Sequence, residues 1–283
     1  MSDKETVQLV ECPRDAIQGI QSFMATEKKI AYINQLMQSN LFDCIDFGSF
    51  VSPKAVPQMR DTAQVLDGIV KNDRTKLLAI IANERGAEIS RPLEKIDFLG
   101  YPFSISETFQ QRNANSTIAQ SYQRVESIKN MMAAGKQQLV VYISMAFGNP
   151  YGDSWSSDLV LEWLEKLSAL GVSRFSIADT TSEATPESIQ ILFTLIAHHF
   201  PTLELSIHLH SREENASLKI DAAYKAGCRI FEGAMMGYGG CPFAQDDLVG
   251  NIPTEMLLYK FKNTKEKKVQ ALVDGFQGLI RHD

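Results

Sequence analysis

QLVVYISMAFGNPYGDSWSSDLVLEWLEKLSALGVSRFSIA, residues 138–178, holds one complete strand–helix–strand unit. Its ends, QLVVYIS (138–144) and RFSIA (174–178), are short runs rich in Val, Ile, Leu and Phe. Between them Trp155, Leu159, Trp163 and Leu167 recur every four residues with Val160 and Leu164 beside them, while Asp158, Glu162, Glu165 and Lys166 point elsewhere. That spacing predicts an amphipathic crossover helix over 155–170.

The same alternation continues in both directions. Further strands are predicted at VQLVE (7–11), CIDF (44–47), KLLAIIA (76–82), IDFLG (96–100), LSIHL (205–209) and RIFEGA (229–234). Helical stretches lie near 27–39, 57–70, 117–134, 186–199 and 214–226, and Gly135 stands where the 117–134 helix should be capped. Each βα unit takes about 30 residues, so 283 residues hold eight or nine. The expected fold is α/β, a (β/α)8 TIM barrel: one domain over 1–283, a closed parallel sheet with a C-terminal helical extension, and an active site at the C-terminal ends of the strands. A doubly wound open sheet competes, but it would more often carry a glycine-rich turn after its first strand, where this chain has ECPRDAIQ (11–18).

Lys and Arg total 28 against 34 Asp and Glu, a net charge of −6, which argues against a nucleic-acid partner. No window approaches the length of a membrane span, and MSDKETVQ lacks the features of a signal peptide, so no membrane association and a cytoplasmic location are expected. The four cysteines, Cys12, Cys44, Cys228 and Cys241, form no CxxC pair. The basic run 262–268 reads as a solvated helix end or loop, with a phosphate site as the alternative.

In a barrel, chemistry collects where strands end, and the polar residues there form a coherent set. They are Arg14, Asp15 and Gln18 after the first strand, Asp46 and Ser49 at the second, Asn83 at the third, and Ser144 at the fifth. Asp179 and Thr180 follow the sixth, His208 and His210 the seventh, and Cys241 and Asn251 lie beyond the eighth. His208 and His210 are two apart on a strand and face one side, which suits a metal better than a lone core histidine would. Asp15 and Asn251 would complete two nitrogen and two oxygen ligands, although Asp15 also reads as a helix cap and Asn251 as a turn residue. Mixed N/O ligation without thiolate suits Mg²⁺ or Mn²⁺, with Zn²⁺ the weaker choice. Cys241, in GYGGCPFAQ (237–245), reads as a reactive thiol on a mobile loop or as an inert buried one.

Taken in order, VECPRDAIQ, DFGSFVSPKAVPQM, ISMAFGNPYGD, ADTTSEATP, HLH and GYGGCPFAQDDLVGN resemble the 3-hydroxy-3-methylglutaryl-CoA lyases, a family of metal-dependent barrel enzymes, over residues 7–255. The resemblance implies that Asp15, His208, His210 and Asn251 ligate the metal and that Arg14 is the catalytic arginine. It makes Asp46 an active-site carboxylate and Cys241 the loop cysteine; Gln18, Ser49, Asn83, Ser144, Asp179 and Thr180, polar at the strand ends, are the candidates for substrate binding. It also implies a small-molecule acyl-CoA substrate and a homodimer. The chain departs from the family pattern at Asp46, where Glu is usual; at Gly19–Gln21, where Asn-Glu-Lys is typical; and at Ser211–Arg212, where Asp-Thr is common. Lys54 and Arg212 are candidates for the positive charge missing at Gln21.

The implied reaction is a retro-Claisen cleavage to acetyl-CoA and acetoacetate. Arg14 would face the thioester oxygen, Asp46 or a metal-linked group would take the hydroxyl proton, and Cys241 or His208 would protonate the departing carbon. A related barrel aldolase or an acyl-CoA/2-oxoacid condensing synthase would also need Arg14, Asp15 and HxH but not the GGCP loop. A noncatalytic metal-binding barrel is the reading from another class.

Overall fold

The computed structural model describes residues 6–239 and 249–281. Eight strands, β1 (Gln8–Glu11), β2 (Cys44–Ser49), β3 (Lys76–Ile80), β4 (Phe98–Ser104), β5 (Gln138–Ser144), β6 (Arg174–Asp179), β7 (Glu204–Leu209) and β8 (Ile230–Gly233), pair in parallel in chain order. The sheet closes when β8 pairs with β1, Gln8 opposite Ile230 and Glu11 opposite Gly233. This is the expected (β/α)8 barrel.

The pleat sorts side chains into two cores. Val10, Cys12, Cys44, Leu78, Ile80, Val140 and Tyr142 pack inside the barrel. Their strand neighbours, among them Leu9, Ile45, Leu77, Leu139, Val141, Ile207 and Phe231, face outward into a larger core under the helices. Among the described residues the helices are α1 (Pro13–Ile17), α2 (Thr26–Ser39), α3 (Thr62–Gly68), α4 (Glu84–Ser90), α5 (Glu107–Ala114), α6 (Ile118–Met132), α7 (Ser157–Ala169), α8 (Pro186–His199), α9 (Glu213–Lys225), α10 (Thr254–Lys262) and α11 (Glu266–Ile280). The crossover helix read from Trp155 onward is α7, which starts at Ser157 because the Ser156 hydroxyl accepts from Leu159 N. None of the helices is long and apolar enough to cross a membrane.

Three local expectations change. The helix expected over 57–70 is a short turn, Pro57–Met59, followed by α3, because buried Asp61 between them is drawn to Lys29 Nζ (2.8 Å) and Thr26 Oγ1 (2.8 Å) on α2. The strand expected at 96–100 runs on to Ser104 through Pro102. Register with β3 ends at Ile80–Gly100, so the missing N–H of Pro102 faces a side with no ladder bond to lose. The short helices α4 and α5 were not anticipated. The C-terminal extension is α10 and α11, and α11 lies on α2 with Phe276 against Tyr32 (5.6 Å between ring centres).

Candidate active site

β1 gives way to α1 at Cys12, and Pro13 in the first turn of the helix fixes the path of the two residues that follow. Arg14 and Asp15 are buried there beside the C-terminal ends of β2 and β7. The Arg14 guanidinium donates to Asp46 Oδ2 from Nε (3.0 Å) and Nη2 (2.5 Å), and to Asp15 Oδ1 (3.1 Å) and Gln18 Oε1 (3.0 Å) from Nη1. Of its five N–H groups one on Nη2 is left for another acceptor. Burial works against its charge, but Asp46 and Asp15 outweigh that and hold Arg14 firmly cationic. Complete burial pushes the Asp46 carboxyl up to about 6 against the pull of Arg14. For Asp15 burial is again the largest influence, yet Arg14, His208 and His210 together hold it below the usual carboxylate range.

His208 and His210 project from β7 and its end into the same space, their Nε2 atoms 3.2 Å apart. Both Nδ1 atoms face pure acceptors, Glu232 Oε2 (3.1 Å) and Val249 O (2.9 Å), so both carry hydrogen. The two Nε2 atoms are then left facing each other, an arrangement that a shared proton or a metal ion held by both would relieve. Asp15 offers a carboxylate oxygen within 4.8 Å of both imidazoles. Asn251 donates from Nδ2 to Asp15 Oδ2 (2.7 Å) and to Tyr238 O (2.9 Å). Its Oδ1 is buried with no hydrogen-bond partner among the described residues, the state expected of an amide oxygen that serves a cation. Two imidazoles, a carboxylate and an amide oxygen thus fit a hard or borderline divalent ion. A second group, Cys12, His208 and Glu232, also lies within ligand range, but burial, with the nearby Glu232, Asp46 and Asp15 charges, pushes the Cys12 thiol well up, so it stays protonated.

Glu232, which the sequence reading missed, is the inward residue of β8. Its Oε1 accepts from Ser176 Oγ (2.7 Å) and Ser206 Oγ (2.6 Å), and its Oε2 faces His208. Burial opposes its charge, and His208 with the two serines more than restores it. The signal was present in RIFEGA, since a residue two beyond Ile230 must share its inward face.

Eight of the anticipated residues, Arg14, Asp15, Gln18, Ser49, Ser144, Thr180, His208 and His210, line one cavity of about 170 Å³, with Tyr142, Phe109 and Asn113. Asp46 stands behind Arg14. Asn83 is elsewhere: it is exposed and caps α4, its Oδ1 accepting from Gly86 N (3.0 Å). Asp179 is turned away and bound by Lys219 Nζ (3.0 Å), which also donates to Ser182 Oγ and to the His210 carbonyl (2.8 Å). Of the two candidate replacement charges, Lys54 is exposed between β2 and α3, and Arg212 precedes α9. Cys241 lies outside the described residues. The segments on either side of it are fixed by close approach: a Cβ on Gly239 (φ +102°) would come within 2.8 Å of Asp15 O, and one on Gly250 within 2.2 Å of Gly237 O.

A family model described as HMGL-like matches residues 7–276. The chain is 33% identical over 256 residues to the mitochondrial hydroxymethylglutaryl-CoA lyase of Mus musculus, covering 89% of this chain and 77% of that protein. It is 32% identical over 248 residues to hydroxymethylglutaryl-CoA lyase YngG of Bacillus subtilis, covering 87% and 82%. Among solved structures, an HMG-CoA lyase from Acenitobacter baumannii in complex with coenzyme A and 3-methylmalate superposes with a TM-score of 0.92 at 30% identity, over 100% of this chain and 94% of that one. The carboxyl transferase domain of Rhizobium etli pyruvate carboxylase, at 14% identity and a TM-score of 0.67 over 97% of this chain and 48% of that one, shares the fold alone.

Proposed function

The chain belongs to the HMGL-like family, and from that premise we propose that it is a divalent-metal-dependent carbon–carbon lyase that cleaves 3-hydroxy-3-methylglutaryl-CoA to acetyl-CoA and acetoacetate. The observation that carries the reading is the convergence of two imidazole lone pairs, the Asp15 carboxylate and the unpartnered Asn251 oxygen beside a buried, doubly paired arginine.

Asp15, His208, His210 and Asn251 would hold the metal, Mg²⁺ or Mn²⁺ by the absence of thiolate. When bound, the ion supplies positive charge that orients oxygen-bearing substrates and favours loss of a hydroxyl proton. The protein's own groups do the rest. Asp46, fully buried behind Arg14 and outside the cavity walls, locks the plane of the guanidinium rather than meeting the substrate, which leaves the hydroxyl proton to a group beside the metal. As the carbon–carbon bond breaks, the electron pair of the C–O⁻ group becomes the new ketone, and the bonding pair passes to the acetyl-CoA enolate. Arg14 offers its uncommitted N–H to the thioester oxygen where that charge builds; one such preorganised donor is worth about 3 kcal/mol. A proton delivered to the enolate carbon completes acetyl-CoA, and Cys241 is assigned that delivery. Gln18, Ser49, Ser144 and Thr180 line the walls that would position the acyl group. A homodimer is part of the proposal on the resemblance alone, and sedimentation of the purified protein reads it.

The test is metal-stripped protein given 3-hydroxy-3-methylglutaryl-CoA with and without Mg²⁺ or Mn²⁺. Equal, metal-dependent release of acetyl-CoA and acetoacetate is expected. Folded, metal-loaded protein that cleaves nothing overturns the reading and moves the search to other hydroxy acids and acyl-CoA thioesters.

A further inference from the structure

Lys219 lies on α9 with 4% of its surface exposed, and its ammonium sits between the ends of β6 and β7. It donates to Asp179 Oδ2 (3.0 Å), Ser182 Oγ (3.0 Å) and the His210 carbonyl (2.8 Å). An ammonium has three hydrogens and accepts nothing, so its donors are fully committed and three acceptors fix its place. Those acceptors belong to two connections that both reach the cavity. On the β6 side Asp179 is followed by Thr180, a cavity wall whose hydroxyl accepts from Met145 N (3.2 Å) beyond β5. Ser182, two residues on, holds a left-handed backbone (φ +62°) that a β-carbon disfavours. On the β7 side His210 is one of the four groups proposed to hold the metal.

The sheet itself does not join these connections. The ladder between β6 and β7 ends with Asp179 opposite Leu209, and beyond it, among the described residues, no backbone hydrogen bond links 180–185 to 210–212. Thr180 and His210 stand one residue past that limit, and the Lys219 ammonium takes over where the ladder stops. A buried ion pair is a poor choice for scaffolding alone, since apolar side chains of similar volume often stabilise a fold as well or better. What an apolar filler could not supply is the bond to the His210 carbonyl.

We propose that Lys219 is a positioning residue for the cleavage. It touches neither metal nor substrate; it holds the His210 main chain against the Thr180 connection, so that the imidazole and the substrate wall keep their spacing. The inference rests on the lyase reading for the reaction that this spacing serves, and on the three bonds of the ammonium for its place.

K219M alone strands the Asp179 carboxylate in the interior, and its loss of stability would say nothing of the site. The informative variant is K219M/D179N, which removes both charges together, leaves the net charge unchanged and is expected to fold. I196A, at a buried position of α8 outside the cavity, supplies a destabilised control. Mn²⁺ is titrated calorimetrically into each full-length protein, and the electron paramagnetic resonance of the bound ion reports the symmetry of its ligands. K219M/D179N is expected to bind Mn²⁺ about tenfold more weakly, with an altered spectrum, and at saturating Mn²⁺ its kcat for 3-hydroxy-3-methylglutaryl-CoA falls by about tenfold or more. I196A keeps the affinity and spectrum of wild type although its unfolding midpoint falls. An unchanged affinity or spectrum in folded K219M/D179N, or an unchanged kcat where wild type turns over, overturns the positioning role, as does an equal loss in I196A. Wild type that binds no Mn²⁺ overturns it together with the metal site. Wild type that binds Mn²⁺ more tightly than K219M/D179N but cleaves nothing keeps Lys219 as a determinant of the metal geometry and removes the lyase reading.

Discussion

Glu232 touches the site only through His208, and that makes its contribution separable. With the carboxylate replaced by an amide, His208 loses the partner that keeps hydrogen on Nδ1 and the lone pair on Nε2. Glu232→Gln is expected to weaken Mn²⁺ binding by about 10- to 100-fold with the fold intact, read by calorimetric titration; unaltered affinity would show that the imidazole is oriented without it. Glu11 poses the opposite case, a buried acid that faces away from the barrel interior. Its oxygens accept from Met235 N (3.0 Å) and Thr254 Oγ1 (2.5 Å), and burial pushes its carboxyl up to about 8 from 4.5. The folded state thus keeps a proton that the unfolded chain releases above pH 4.5. The stability this contributes is fully present below 4.5 and is lost as pH rises through 8, amounting to about 3 kcal/mol by pH 7. Glu11→Gln keeps an oxygen for Met235 and should flatten the dependence, so the gap between variant and wild type in urea unfolding widens from pH 5 to pH 8; parallel curves would place the titration elsewhere. Residue-scale chemistry was unevenly legible. His208 and His210 announce themselves by spacing. Asn83 and Asp179 share with the cavity-lining residues the property of being polar at a strand end. What separates them is a helix cap in one case and Lys219, forty positions downstream, in the other.

Elements matter here chiefly through where they stop. α1 is a single buried turn, and the stretch 249–251 is a bridge to the end of β7, with Ser211 N on Gly250 O (2.9 Å) and His210 opposite Asn251. That bridge brings Val249 O to His210 Nδ1 and the Asn251 side chain to Asp15. Gly250 approaches the Gly237 carbonyl so closely that a methyl group would meet backbone rather than a yielding side chain. Gly250→Ala is therefore expected to cost about 2 kcal/mol of stability and to weaken metal binding with it. Chemical denaturation and metal titration of the same sample check the two together, and a stable variant of normal affinity would mean that the bridge relaxes freely. Long amphipathic helices such as α6 and α7 were evident from their apolar period. α5, polar along most of its length, has no such period, and its start is set by Ser106 accepting from Phe109 N. Asn113 reaches the cavity from it. The end of β4 was hidden by Pro102, because the shortness of β3 that makes a proline harmless there is a property of the sheet rather than of the segment.

At the scale of the molecule, the alternation of eight apolar runs with helices was enough to specify the barrel, because closure follows from count and handedness and needs no particular residue. The site was not specified in that way: the four groups proposed to hold the metal are drawn from the two sides of the β1–β8 seam, and only likeness to known lyases decided between ligation and the cap and turn that Asp15 and Asn251 also read as. A cation held there, as proposed, would stabilise the folded state alone. Metal at about one hundred times its dissociation constant should add about 2.7 kcal/mol, moving the melting temperature by roughly 5 °C, and a chelator should reverse it. A midpoint indifferent to Mg²⁺, Mn²⁺ and chelator would place the ion elsewhere or nowhere. The seam has a further consequence during synthesis. Asp15 and Asn251 are 236 residues apart, which a ribosome takes about 10 to 50 s to traverse. The Arg14–Asp46 pair can form within the first few dozen residues translated, whereas Asp15, His208, His210 and Asn251 cannot meet until nearly all the message has been read. A cation held by these four, as proposed, would be a seal set on the finished polypeptide, and a nascent or prematurely terminated chain would gain nothing from it.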